Sequence, residues 1–239
     1  MRILAIGDVH QESVALTRAL DRFAHTVDRV VCVGDLVDGA VGLAAARQCL
    51  RTLRERGVAT VAGNHDRWWL SGRSRDDAEA IATGSLADEI EWVATLPRTF
   101  TFPTNLGTAM VAHGLVTDDL AAVDLDSMEY EVTAHGAWEH LRSHRIALHI
   151  GGHTHREHVR WIGDNETTSP YAGCLFVNAG TLHRGHGPCA CVIDTKARDT
   201  LFTSGEDAIG QVIIIGNVPV RIIGVVAAST NNFGPSSNS

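Results

Sequence analysis

Seven side chains with metal-ligand chemistry lie in short polar blocks, each following an apolar run. They are Asp8 and His10 in GDVH (7–10), Asp35 in GDLVD (34–38), Asn64 in GNHD (63–66), His113 in AHG (112–114), and His153 and His155 in GGHTH (151–155). Singly, each has an ordinary explanation. An Asp after Gly at a strand end is usually a turn former, an Asn in GNH suits a left-handed backbone position, and a lone His is usually structural. Turn chemistry does not explain why five successive strand ends should all carry such residues. Imidazoles and carboxylates without a thiolate suit Mn, Fe, Zn, Co or Ni rather than calcium, or magnesium alone. On an extended segment, His153 and His155 at i and i+2 would point the same way and converge on one object.

The elements that must position these blocks follow from the hydrophobic periodicity. Arg2–Ile6, Arg29–Val33 and Val58–Val61 are short apolar, largely β-branched runs. Between them, Glu12–Ala24 carries Val14, Leu16, Leu20 and Phe23 at mostly helical intervals, and Val41–Arg56 is helical in pattern and ends at Gly57, a natural C′ residue. Strand, helix, strand, helix, strand with short connections implies right-handed crossovers and a parallel sheet. Asp8, Asp35 and Asn64 therefore sit about one βαβ unit apart, at carboxyl ends of strands, where open α/β sheets bind ligands. Further on, Asp76–Leu96 reads as one or two helices closed by Pro97, and Val132–Ser143 as another helix. Thr99–Phe102, Thr108–Val111, Ile146–Ile150, His158–Ile162, Leu175–Val177 and Cys189–Ile193 read as the strands of a second sheet. The expected fold class is α/β, with two facing mixed β-sheets flanked by helices.

The 239 residues carry 20 basic and 28 acidic side chains, a net charge of −8. That balance argues against stable binding to nucleic-acid backbone or anionic membrane, which needs clustered positive charge. It leaves room for a small phosphorylated substrate whose charge is met by metal ions. The five cysteines are odd in number and contain no C-x-x-C pair, so no disulfide framework is expected. The opening MRILAIGDVH enters a strand at once and lacks the marks of a secretory leader, which points to the cytoplasm. The most apolar stretch, 209–228, contains Gln211, Asn217, Pro219 and Arg221 and is a poor membrane span. Oligomeric state has no signature here.

Taken in order, the five blocks resemble the calcineurin-like metallophosphoesterase superfamily, over Met1 to about Thr203. A sixth feature, Val177-Asn178-Ala179-Gly180-Thr181, is similar to the N-x-G-[ST] turn of its small bacterial phosphodiesterase branch. The resemblance implies a four-layer α/β/β/α sandwich and two divalent metal ions, with Mn foremost and Fe, Zn, Ni, Co or Mg as alternatives. One ion would be held by Asp8, His10, Asp35 and His155, the other by Asp35, Asn64, His113 and His153. A shared carboxylate allows metals ~3.5–4 Å apart to generate a bridging hydroxide that attacks a phosphodiester, or possible monoester, in line. His65 is then the candidate general acid, and Asp38 the carboxylate that orients it.

Protein phosphatases and dinucleoside tetraphosphate hydrolases of the superfamily place an Arg after the residue matching Asp38. Here Gly39 and Ala40 follow, which favours the phosphodiesterase branch and leaves those two classes as alternatives. Arg67, His183, Arg184 and His186 are candidate substrate contacts. Trp68 and Trp69 stack on a nucleobase or, more plainly, pack against the following helix. His25, His135, His140, His144 and His158 read as surface or structural.

The sequence changes character near Gly205. IGQVIIIGNVPVRIIGV (209–225) resembles a piece of the periplasmic domain of macrolide-exporter-type ABC permeases. The expected division is a phosphoesterase domain at 1–204 and an extraneous or terminal β-hairpin tail at 205–239, outside the catalytic domain.

Overall fold

The computed structural model describes residues 1–74, 86–121, 137, 139–163 and 173–194, and also 212–215 and 218–221; residues 160–163 and the last two segments are described by backbone alone. The helical expectations for 76–85, 132–136 and residue 138, His135 and most of the tail fall outside these residues. Among the described residues, no helix is long and apolar enough to cross a membrane.

The first sheet has the order β3-β2-β1-β9, with β1 (Arg2–Ile6), β2 (Arg29–Cys32) and β3 (Ala59–Thr60) parallel and β9 (Cys191–Asp194) antiparallel to β1. The expected third strand thus shrinks to two paired residues. The run at 189–193 belongs to this first sheet, not to the second as its position in the chain suggested. Short apolar runs carry no information about which sheet edge they will meet. The second sheet has the order β4-β5-β6-β8-β7: Thr99–Thr104, Gly107–Ala112, Ile146–Gly151, Gly173–Ala179 and Glu157–Gly163. Its central β5, β6 and β8 are parallel, and β4 and β7 form antiparallel edges.

Strand alternation builds the layers. Ile3, Ala5, Val31 and Val33 from the first sheet meet Ala109, Val111, Leu148, Ile150, Leu175 and Val177 from the second in one buried cluster, so the two sheets face each other. Leu4, Ile6 and Cys32 point the other way, onto Leu16 and Leu20 of α1 (Ser13–Phe23), Ala46, Leu50 and Leu53 of α2 (Leu43–Glu55), and Val93 of α3 (Ala87–Ala94). The 3- and 4-residue spacing of those α2 positions makes the apolar stripe that covers a sheet. As expected, α2 gives way to a left-handed Gly57 (φ 61°). On the outer face of the second sheet, Met110, Cys174 and Phe176 pack with Leu141 from the helical residues 139–143. The four-layer mixed α/β architecture is as expected.

His149 of β6 lies in that outer layer, 3% exposed, against Phe176. Its Nε2 accepts the Val116 N–H at 3.2 Å, and this holds a β-branched residue at the costly φ of 57°. Burial pushes His149 down to about 4. Because the folded value is lowered, the unfolded chain takes the proton first, so stability is lost as pH falls from about 6.5 towards 4. From pH 7 to pH 5 this residue should cost about 2 kcal/mol. Urea unfolding of chelator-treated protein at the two pH values checks it. His149→Gln keeps an acceptor without the titration and should lose correspondingly less; equal losses would refute the linkage.

Candidate metal centre

Every polar block lies just beyond or at the carboxyl end of a parallel strand: Asp8 after β1, Asp35 after β2, Asn64 after β3, His113 after β5, and His153 and His155 after β6. Cross-links bring the ends of both sheets to one rim. The Nδ1–H of His113 donates to the Val33 carbonyl at 2.8 Å, and Asp8 and Thr181 form a parallel bridge. The Thr181 hydroxyl and the Leu182 N–H both donate to the Asp8 carbonyl.

Two groups of ligand atoms result. In the first, Asp8, His10, Asp35 and His155 each place one atom within 4.8 Å of the others, and the Nε2 atoms of His10 and His155 lie 3.0 Å apart. In the second, Asn64 Oδ1 lies 2.9 Å from His113 Nε2 and 3.1 Å from His153 Nδ1. Asp35 belongs to both, since its Oδ2 is 3.6 Å from His10 Nε2 and 3.4 Å from His113 Nε2. His153 and His155 therefore serve different groups. They do not share a face of an extended segment: β6 ends at Gly151, and both histidines are left-handed (φ 70° and 59°).

This backbone is held in place rather than relaxed. Among the described residues, five of the eight non-glycine residues with positive φ are His10, Asp35, Asp38, His153 and His155. Such conformations persist only where the surroundings over-determine them. His10 N–H donates to the Asp35 carbonyl at 2.8 Å. Asp66 accepts from the N–H groups of Leu36 and Gly63, both at 2.8 Å, tying the second and third strand ends together. Asn178 donates to the Gly152 carbonyl and, at 3.0 Å, to the Thr154 hydroxyl, and it accepts from Gly180 N–H at 2.9 Å, pinning the GGHTH turn. Gly152 is required by close approach: a Cβ there would stand 2.9 Å from Asp8 Oδ2. Asp66 and Asn178 were visible as motif positions, but nothing local in the sequence assigned their tasks.

The donor chemistry of the site suits cations. The Nδ1 atoms of His10 and His113 face the Val37 and Val33 carbonyls, which accept, so the neutral rings keep their lone pairs on Nε2. For His113 that lone pair would face Asn64 Oδ1 and Asp35 Oδ2, an arrangement that needs a proton or a metal ion between the atoms. Burial works against a charged His113, but the charge and hydrogen bond of Asp35, with Asp8, outweigh it and raise the ring to about 9. Burial lowers His10 and His155 to about 4, reinforced for each by neighbouring imidazoles. Burial likewise lowers His153, with His113 adding to the effect. Neutral imidazoles are the ligand form. Burial pushes Asp8 up to about 7, with Asp35 adding to the shift and His113 opposing it. Burial also opposes the charge on Asp35, but His113 and His10 hold it below the usual range. Two buried carboxylates this close demand positive charge.

At the edge of the site, His65 Nδ1 donates to Asp38 Oδ2 at 2.8 Å, and the His65 ring stands 5.0 Å from that of His10. Trp68 packs edge-on against His65, and Trp69 is buried. The two candidate arginines are engaged elsewhere. Arg67 makes a bidentate pair with Asp119 (2.8 and 2.9 Å), and Arg184 makes one with buried Glu12 (2.6 and 2.9 Å). The rings of His183 and His186 stand 5.7 Å from His10 and 4.8 Å from His155, respectively. His25, His140, His144 and His158 are not among the residues of either group.

The profile of the MacB-like periplasmic core domain matches residues 166–239, beginning well before the expected boundary at 205. The macrolide export ATP-binding/permease protein MacB of Pectobacterium atrosepticum is 57% identical over 47 residues, 20% of this chain and 7% of that protein. The pyoverdine export protein PvdT of Pseudomonas entomophila is 30% identical over 133 residues, 53% of this chain and 19% of that protein. The chain thus spans only a small part of the curated relatives it matches. Among solved structures, a metallophosphoesterase from Sphaerobacter thermophilus superposes with a TM-score of 0.57 at 22% identity, covering 82% of this chain and 85% of that one. A hypothetical protein from Pyrococcus horikoshii OT3 gives 0.55 at 10% identity, covering 81% and 87%. The profile of the calcineurin-like phosphoesterase superfamily domain matches residues 1–198, so the chain belongs to that superfamily, whose members use divalent metal ions.

Proposed function

We propose that the chain is a dinuclear metal-dependent hydrolase of phosphodiesters, with Mn the foremost metal. The observation that carries the reading is the position of Asp35, whose Oδ2 lies within 3.6 Å of His10 Nε2 and 3.4 Å of His113 Nε2, between two groups of lone-pair donors. Asp8, His10, Asp35 and His155 would hold one cation, and Asp35, Asn64, His113 and His153 the other. When bound, the pair lowers the pKa of a water nucleophile towards neutrality and neutralises the non-bridging phosphoryl oxygens. His65 supplies the leaving oxygen with its proton. Its Nδ1–H is committed to Asp38, which orients the ring and leaves Nε2 for the exchange. The substrate is a small phosphorylated molecule. Support for a diester comes from Gly39 following Asp38 and from Arg67 and Arg184 being taken by carboxylates, which leaves neither guanidinium as the clamp a dianionic monoester calls for.

The test is hydrolysis of bis-p-nitrophenyl phosphate against p-nitrophenyl phosphate by protein stripped of metal and then supplied with Mn, Ni, Zn or Mg. Turnover restored by metal, with the diester preferred, is the expected result. No turnover with any metal would defeat the enzyme reading, and a strong monoester preference would favour a phosphatase or dinucleoside polyphosphate hydrolase.

The domain division is proposed in the same spirit. The described backbone of 212–215 pairs antiparallel with 218–221 as a two-stranded sheet of its own. Removing residues 205–239 should retain activity and raise soluble yield, because β-branched strand segments with unpaired edges promote aggregation. Loss of the folded state, measured by circular dichroism and thermal melting, would overturn this division.

A further inference from the structure

We infer that the loop 182–188, resting on the phosphodiesterase reading above, is the substrate-gripping wall of the site, with ring N–H groups of His183 and His186 as hydrogen-bond donors to a monoanionic phosphodiester and Arg184 as their strut. The guanidiniums that sequence alone offered for this task are occupied by Asp119 and Glu12. What the loop does bring to the rim is imidazole. The His183 ring lies 5.7 Å from His10, the His186 ring 4.8 Å from His155, and the two are 5.4 Å from each other.

The loop is built to hold them there. Glu12, only 6% exposed, takes the Arg184 side chain at 2.6 and 2.9 Å and the Arg184 N–H at 3.2 Å. Glu12 directly precedes α1, two residues after His10, so the pair fastens this loop to the segment that carries a proposed ligand. The His183 N–H donates to the Thr181 hydroxyl, which itself donates to the Asp8 carbonyl. His183 Nδ1 accepts the Gly185 N–H at 3.1 Å, so the N–H donor this ring offers is on Nε2. Single, separate N–H donors suit the singly charged diester, whereas a dianionic monoester or free phosphate is better served by a bidentate guanidinium.

The experiment is calorimetric binding of diphenyl phosphate and of inorganic phosphate to the metal-loaded full chain. The double variant His183→Ala/His186→Ala should weaken diphenyl phosphate at least about tenfold, shift inorganic phosphate by less than about threefold, and leave bound metal unchanged. His183→Gln, which keeps a donor near the Nε2 position, should recover part of the loss. Glu12→Gln should weaken diphenyl phosphate in the wild-type background and have no further effect in the double variant, which a merely structural pair would not show. Unchanged diphenyl phosphate affinity in the double variant overturns the proposal, as does loss of metal from it. If wild type hydrolyses no ester, the enzymatic reading fails on its own, and the binding comparison still decides the loop.

Discussion

Asp35→Asn is expected to reduce bis-p-nitrophenyl phosphate turnover by roughly 10³-fold and bound metal from two equivalents to near none. The substitution is close to isosteric, and Asn tolerates the left-handed backbone (φ 50°) that Asp35 adopts. The remaining side-chain oxygen can still accept the His65 N–H, now at 2.9 Å from Oδ1. What disappears is the negative charge shared by the two ligand groups. Either group alone retains imidazoles, and the first also keeps Asp8. The second, however, loses its only anion and the first loses half of its negative charge, which a divalent ion needs to be worth desolvating in a buried site. Metal analysis after dialysis, beside a thermal melt to confirm folding, separates this from simple unfolding. Retention of both metals with full activity would remove Asp35 from the centre of the mechanism. Retention of one equivalent would assign Asp35 to a single site.

The second large effect should fall on turnover alone. His65→Asn is expected to lower kcat by about 10²–10⁴-fold while leaving two metal equivalents in place, because Asn cannot give up a proton to the departing oxygen. His65 is part-exposed, its Nδ1 is bonded to Asp38, and its Nε2 is the nitrogen left for the leaving group. The loss should be larger for a diester with an alkyl leaving group than for bis-p-nitrophenyl phosphate, since nitrophenolate leaves without much help. Asp38→Asn should act in the same direction and more weakly, through the orientation of the ring. Comparing the two substrates across wild type and variants is the measurement. Equal losses on both substrates, or loss of metal, would count against the acid role.

Much of this was legible in the chain because it is local. The short apolar runs at Arg2–Ile6 and Arg29–Val33 and the helical spacing in α2 mark the elements, and glycine next to Asp or Asn marks the first three strand ends. The spacing of Asp8, Asp35 and Asn64 by one βαβ unit each forces those residues onto one sheet end, whatever the details of packing. The pairing of Asp38 with His65 followed from motif resemblance, and the 2.8 Å contact agrees with it.

What was not legible depends on partners distant in sequence. Arg67 and Arg184 read as candidate anion grips, yet their carboxylates lie 52 and 172 residues away, and no local pattern announces such a pairing. The run ending in Ile193 gave no sign that it would cross to β1 in the first sheet. His149 looked like one more strand residue, and only its depth and its bond to Val116 give it a titration of consequence.

By itself, the sequence determined that five strand ends would carry metal-type ligands at intervals compatible with one rim, because periodicity and turn chemistry act over a few residues. The resemblance implied how those ligands divide, and the tertiary structure supplies the physical reason. Left-handed backbone at His153 and His155 sends neighbouring rings to different groups, and contacts between the two sheets place Asp35 between them. Which side chains face which depends on long-range packing, and that is settled only when the sheets close on each other.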